Sequence, residues 1–134
     1  MTRRESRELA FVLMFERSFG ETPVADILDA SVEARDVEAD VFARELACGA
    51  EEYILQIDQQ IAEHSHNWSK ERISRVAMAV MRVAVYEMLY MDSIPVSVSI
   101  SEAVELAKKY GGDDDPSFVN GVLGGIARQL PAGE

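Results

Sequence analysis

Phe42, Leu46, Ala50, Tyr53, Ile57 and Ile61 recur at steps of three or four residues. That is the period of one helix face, and it is incompatible with the two-residue alternation of a half-buried strand. A long helix through this region is therefore the strongest constraint on the fold. Gly49 sits inside the run. A glycine weakens a helix interior, so a close helix crossing is expected at that point. The same period returns along the chain. Residues 3–19 contain no proline or glycine, and LAFVLMF at 9–15 is apolar on nearly every side, which predicts a first helix buried on several faces and ended by Gly20. Thr22 followed by Pro23 reads as the cap and first position of a second helix, with Val24, Ile27 and Leu28 inward. Asp36 reads as the cap of the long helix.

SHNWS at 65–69 is a clear break, and the run from Lys70 to Met91 is again helical, with Ile73, Val76, Val80 and Ala84 on one face. After Pro95, VSVSIS at 96–101 alternates like a strand. The strand reading is rejected because Ser99 and Glu102 have the spacing of a capping box, with Ala103, Val104 and Ala107 continuing a helix, Lys108 and Lys109 suiting its negative end, and Gly111 stopping it. Asp115 as cap and Pro116 at the first position open the last helix, whose inner stripe is Val119, Val122, Leu123, Ile126 and Leu130. The expected fold is all-α, about seven helices in one domain over 1–134, with a mild boundary near SHNWS that divides it into sub-bundles 1–66 and 67–134.

The net charge of −11 argues against nucleic acid, because phosphate contacts need lysine and arginine. The charge is local, however. Residues 21–66 hold 12 acids and only Arg35 and Arg44 as bases, and the rest of the chain is nearly neutral. A basic face elsewhere remains open to it. The single cysteine, Cys48, excludes an internal disulfide and suits a reducing cytosol. No leader or membrane-length apolar run is present, so a cytoplasmic chain is expected. His64 and His66 do not converge on a metal and are expected to be solvated near a helix end; Asp113, Asp114 and Asp115 lack the spacing of a calcium loop. No phosphate loop or dinucleotide turn occurs, and no cofactor is expected. An enzyme is the least supported class, because no acid, base and nucleophile converge.

Binding features are better developed. Arg3, Arg4 and Arg7 gather positive charge at the start of the first helix. There it opposes the helix dipole by about 0.3–1 kcal/mol each, which suggests that something else uses the charge. Phe11 and Phe15 follow at four-residue steps; either ring is more often core than contact, yet an exposed ring beside arginines is how single-stranded RNA is commonly held. At the last helix, Asn120 faces away from the apolar stripe, and Gly121, Gly124 and Gly125 leave bare backbone. Tight helix packing and the close approach of a ligand to Phe118 and Asn120 both explain that strip.

These segments resemble the NusB family of bacterial transcription antitermination factors. The matching stretches are RRESRELAFVLMF at 3–15, IDQQIAEHSHNWS at 57–69, RVAVYEML at 82–89, IPVSVSISEAVELAKKYG at 94–111 and FVNGVL at 118–123. The resemblance implies an all-helical fold of two small bundles and a non-enzymatic role. It implies binding of the boxA element of nascent RNA together with the ribosomal protein NusE, association with the elongating RNA polymerase through other Nus factors, and read-through of ribosomal RNA operons. By the same resemblance, RNA contacts fall on Arg3, Arg4, Arg7, Phe15, Asp114, Phe118 and Asn120, and a contact to NusE falls on Glu71. The chain departs from the family pattern at Glu5, Val12, Ala77 and Gly124; its few bases imply weak RNA binding alone, with the partner supplying charge. Two other readings are a protein-interaction module, a homodimer that buries the arginine helix, and an RNA-recognition module like the one fused to RNA cytosine methyltransferases. The second is disfavoured because the chain ends at Glu134 with no room for a catalytic domain.

Overall fold

The computed structural model describes residues 1–34, 36–38, 40–65 and 72–131. Among these, seven α-helices and no strand occur: α1 (Arg3–Arg17), α2 (Val24–Glu33), α3 (Val41–Glu52), α4 (Ile54–Glu63), α5 (Arg75–Tyr90), α6 (Val96–Tyr110) and α7 (Asp115–Arg128). The all-α expectation holds. The SHNWS break beyond Ser65, His66 and Glu71 lie outside the described residues.

Helix α1 starts in a capping box. Thr2 accepts from the Glu5 amide through its hydroxyl at 3.1 Å, and the Glu5 carboxylate accepts from the Thr2 amide at 2.8 Å. Helix α5 is the axis of the molecule. It packs against α1, α3, α4, α6 and α7, and its buried residues, from Ala77 to Met88, cover all but the one side that carries Arg75, Met78, Arg82 and Leu89. A helix that buries most of its circumference has to be central. Leu13, Leu46, Ile57, Met81, Leu123 and Ile126 are among the fully buried side chains around it, each contributing about 1.5–3 kcal/mol by leaving water.

Several boundaries differ from the sequence reading, each for a local reason. Pro23 rather than Thr22 holds the cap position of α2, and its first amide, Val24, is satisfied by the Glu51 carboxylate at 3.1 Å. Asp40 rather than Asp36 caps α3, accepting from the Ala43 amide at 2.8 Å. The long helix is two helices broken at Tyr53, whose φ of −103° and ψ of 24° leave the helical range. Helix α6 begins at Val96 with Pro95 as its cap, so Ser99 lies within the helix and its hydroxyl turns inward instead of capping. Asp114 takes the cap position of α7, and Asp115 becomes its first residue. The Asp115 carboxylate accepts from the Gly112 amide and the Ser74 hydroxyl, both at 3.0 Å, tying the α6–α7 turn to the start of α5.

Candidate nucleic-acid interface

The three clustered arginines have three different fates. Arg7 is 7% exposed, and its Nε donates to both carboxylate oxygens of Glu87, at 3.1 and 2.9 Å. Ser99 donates to the same carboxylate at 3.0 Å. A charge opposed to the helix dipole is thus used inside the protein, by a buried acid in the last turn of α5. Arg4 points to α6, where Nε and Nη2 grip the two oxygens of Glu102 at 3.2 and 2.9 Å. This paired fork is the strong geometry of an arginine–carboxylate contact. The Arg4 side chain is nevertheless 75% exposed. Arg3 lays its guanidinium 3.8 Å above the ring of Phe42, and Arg7 lies 5.6 Å from that ring. Arg7 also reaches within 3.9 Å of Glu102, so Glu87, Arg7, Glu102 and Arg4 form one alternating row from core to surface.

The seam between α1 and α6 continues one turn on. Glu8 accepts from Lys109 and Tyr110, and those hydrogen bonds, Lys109 first, hold its carboxyl below the usual carboxylate range. Glu102 is likewise held low, chiefly by its hydrogen bond from Arg4. The Tyr110 phenol is pushed up, first by its bond to Glu8 and then by burial. Tyr110 rests 4.9 Å from Phe11, Phe11 lies 6.0 Å from Phe15, and Phe15 meets Phe19 edge-on at 5.0 Å. Phe11 is buried, Phe15 half-buried and Phe19 exposed. The Arg75 guanidinium lies 4.5 Å from the Phe19 ring and donates to the Ser18 carbonyl at 2.8 Å.

Tyr110 ends α6, so the turn bearing Asp114 and the first turns of α7 follow it directly. Asp114 and Asn120 are exposed, while Phe118 is half-buried against the core. The structure brings Phe15 into an aromatic row that reaches, through Phe11, Tyr110 at the end of α6, while Phe118 and Asn120 lie in the first turns of α7. Arg4 sits further along: Glu102 precedes Tyr110 by eight residues of α6, about 12 Å of helix. The glycine strip divides. A Cβ on Gly125 would lie 2.8 Å from the His64 ring, so packing of α4 on α7 explains that position. On Gly121 a Cβ would meet nothing within 4 Å.

His64 is a correction to the sequence reading. Its ring packs under α7, with Nδ1 2.9 Å from the Gln60 carbonyl and Nε2 buried without a partner among the described residues. Cys48 is half-buried, and burial pushes its thiol pKa up, away from the reactive thiolate. Among the described residues no group of three or more His, Cys, Asp or Glu side chains is placed to hold a metal, and no helix is long and apolar enough to cross a membrane. Glu87 and Glu102 were invisible as site-forming residues, because their partners Arg7 and Arg4 lie 80 and 98 residues away along the chain, and Ser99 joins only through Glu87. The only signal was an acid, Glu87, set in an otherwise apolar run near the end of α5.

The described residues form a seven-helix bundle whose exposed Arg4, at the start of α1, is anchored on the Glu102 carboxylate of α6. The chain belongs to the NusB family, whose model matches residues 4–128. It is 40% identical over 130 residues to the transcription antitermination protein NusB of Bacillus velezensis, covering 97% of this chain and 98% of that one. It is 39% identical over 132 residues to the protein of the same name from Geobacter sulfurreducens, covering 96% of each. These relatives are named for antitermination, not for catalysis. Among solved structures, T. maritima NusB matches with a TM-score of 0.83 at 34% identity, covering 96% of this chain and 92% of that one. A chain in the crystal structure of antitermination factors NusB and NusE in complex with dsRNA matches with a TM-score of 0.84 at 25% identity, covering 96% and 97%.

Proposed function

We propose that this chain is an RNA-binding transcription antitermination factor that reads a boxA-like single-stranded element of nascent RNA together with the ribosomal protein NusE. In this reading it joins the elongating RNA polymerase through other Nus factors and favours read-through of ribosomal RNA operons. The names of the relatives and the NusB–NusE–dsRNA neighbour support it. The observation that carries it is the state of Arg4: gripped by Glu102 on one side and three-quarters exposed on the other. A guanidinium held in place by one carboxylate keeps donors for a phosphate without a further entropic penalty for ordering. Arg3 over Phe42 adds a second charge beside it. Phe15 belongs to the aromatic row, and Asp114, Phe118 and Asn120 form the far end, where Asn120 has an exposed amide for a base edge. Arg7 acts through Glu102, as a positioning residue. Glu71 is the proposed acidic contact to NusE.

The charge of the RNA surface is small, so each contact is measurable. Arg4→Ala is expected to weaken boxA-like RNA binding by the chain with NusE about five- to tenfold. It should also lower the slope of log K against log salt by about 0.7, one single-strand phosphate contact. A filter-binding titration across a salt series reads both, and an unchanged slope with unchanged affinity rejects the arginine edge.

Gly121 provides an independent check. Its missing Cβ would stand in open space on an exposed helix position. Gly121→Ala is therefore expected to stabilise the fold by about 0.5–1 kcal/mol in thermal unfolding. If RNA backbone lies against this strip, the same variant binds RNA at least threefold more weakly. A stabilised variant with full RNA affinity removes the strip from the RNA surface while leaving the arginine edge standing.

A further inference from the structure

Tyr53, Tyr86 and Tyr90 stack where the α3–α4 junction meets the end of α5. Tyr53 and Tyr90 lie 4.4 Å apart and 16° from parallel, Tyr86 and Tyr90 are 5.4 Å apart, and Tyr53 and Tyr86 6.4 Å. Gly49 makes room for the stack, since a Cβ there would fall 2.2 Å from the Tyr86 ring. Tyr86 is 9% exposed and Tyr90 40%. Among the described residues none of the three hydroxyls has a hydrogen-bond partner in the protein. Glu45, Gly49 and Glu52 share one side of α3 by their steps of four and three, and Tyr53 follows at the end of that helix. Glu45 and Glu52 are exposed and, among the described residues, make no ion pair. Glu45 and Glu52 flank Gly49, whose position touches the Tyr86 ring, and burial first, then Glu45, Tyr53 and Glu52, push the Tyr86 phenol pKa up.

Rigid aromatic faces edged by unpaired carboxylates are what an arginine or lysine side chain needs: the rings attract its charge and the acids pair with it. The surrounding segment 21–66 carries 12 acids against two bases, a field that repels nucleic acid and draws a basic protein. We propose that the Tyr53–Tyr86–Tyr90 stack with Glu45 and Glu52 is a docking site for a basic segment of a partner protein. One arginine or lysine lies against the rings, with its charge between the two carboxylates. The site is separate from the arginine edge on α1 and does not depend on the RNA reading.

The test is calorimetric titration of the full chain with a hexa-arginine peptide at physiological salt. Saturable one-site binding is expected. Glu45→Gln with Glu52→Gln should weaken it about tenfold, and Tyr90→Ala about as much, while Tyr90→Phe keeps the affinity because the ring and not the hydroxyl is used. The control is Glu33→Gln with Glu38→Gln, which removes the same charge from exposed positions of the same acidic segment away from the stack; it should change the affinity less than twofold. Equal weakening by the two double variants reduces the binding to diffuse charge attraction and overturns the proposal, as does the absence of saturable binding.

Discussion

Arg7→Ala is expected to lower the stability of the chain by about 3–5 kcal/mol, the penalty for leaving one partner of a buried ion pair uncompensated. For a domain of this size that corresponds to a melting temperature roughly 10–20 °C lower. The reason lies in Glu87. Its side chain is 2% exposed, within α5, and its carboxylate is satisfied by Arg7 and the Ser99 hydroxyl. Without the guanidinium, a charge remains in the core with one neutral donor, and protonating it or admitting water carries a comparable penalty. A variant that removes the whole polar group separates this cause from simple loss of packing. Arg7→Met with Glu87→Met and Ser99→Ala leaves no orphan and replaces the network with apolar volume, so it should fall within about 2 kcal/mol of the natural chain. Denaturant unfolding of both variants decides the matter. If Arg7→Ala loses under 1 kcal/mol, Arg7 does not hold the core charge. If the triple variant is as unstable as the single one, packing and not charge is at stake.

The same row of residues shows what a sequence reveals and what it hides. Helix existence was legible, because apolar side chains at three- and four-residue steps have to share a face whatever they pack against. Helix ends were less so. Asp36 and Asp40 are equally good caps by chemistry, and only the tertiary fold chooses between them. Ser99 and Glu102 have capping-box spacing, yet both are recruited across the bundle, to Glu87 and Arg4. The arginine start was visible as a charge cluster in conflict with the helix dipole, but the carboxylates that hold Arg4 and Arg7 were not. That Arg7 would serve the interior while Arg4 stays at the surface was not visible, because Arg4 and Arg7 differ by less than one turn and what separates them is which α5 or α6 acid they meet. The glycines of α7 show the same limit: Gly121 and Gly125 are one turn apart, yet one is open and the other pressed on His64.

Gly49→Ala is the converse case, in which adding one methyl group to a helix is destabilising. By intrinsic preference alanine should favour α3 by about 1 kcal/mol over glycine. The Cβ, however, would stand 2.2 Å from Cζ and 2.3 Å from Cε1 of Tyr86, well inside van der Waals contact. A tyrosine tip often swings away at little cost, but this ring lies against Tyr90 at 5.4 Å and Tyr53 at 6.4 Å, so moving it disturbs the whole stack. Overpacking of this kind costs about 1–3 kcal/mol. The expected net result is a loss of about 1–2 kcal/mol together with a changed near-ultraviolet circular dichroism signal from the displaced tyrosines. The decisive comparison is made in a Tyr86→Leu background, which removes the ring atoms that the methyl would strike. There Gly49→Ala should be neutral or stabilising by up to about 1 kcal/mol, a reversal of sign that only the contact between the two residues produces. The same destabilisation in both backgrounds would place the requirement for glycine in the backbone of α3 and not beneath the ring.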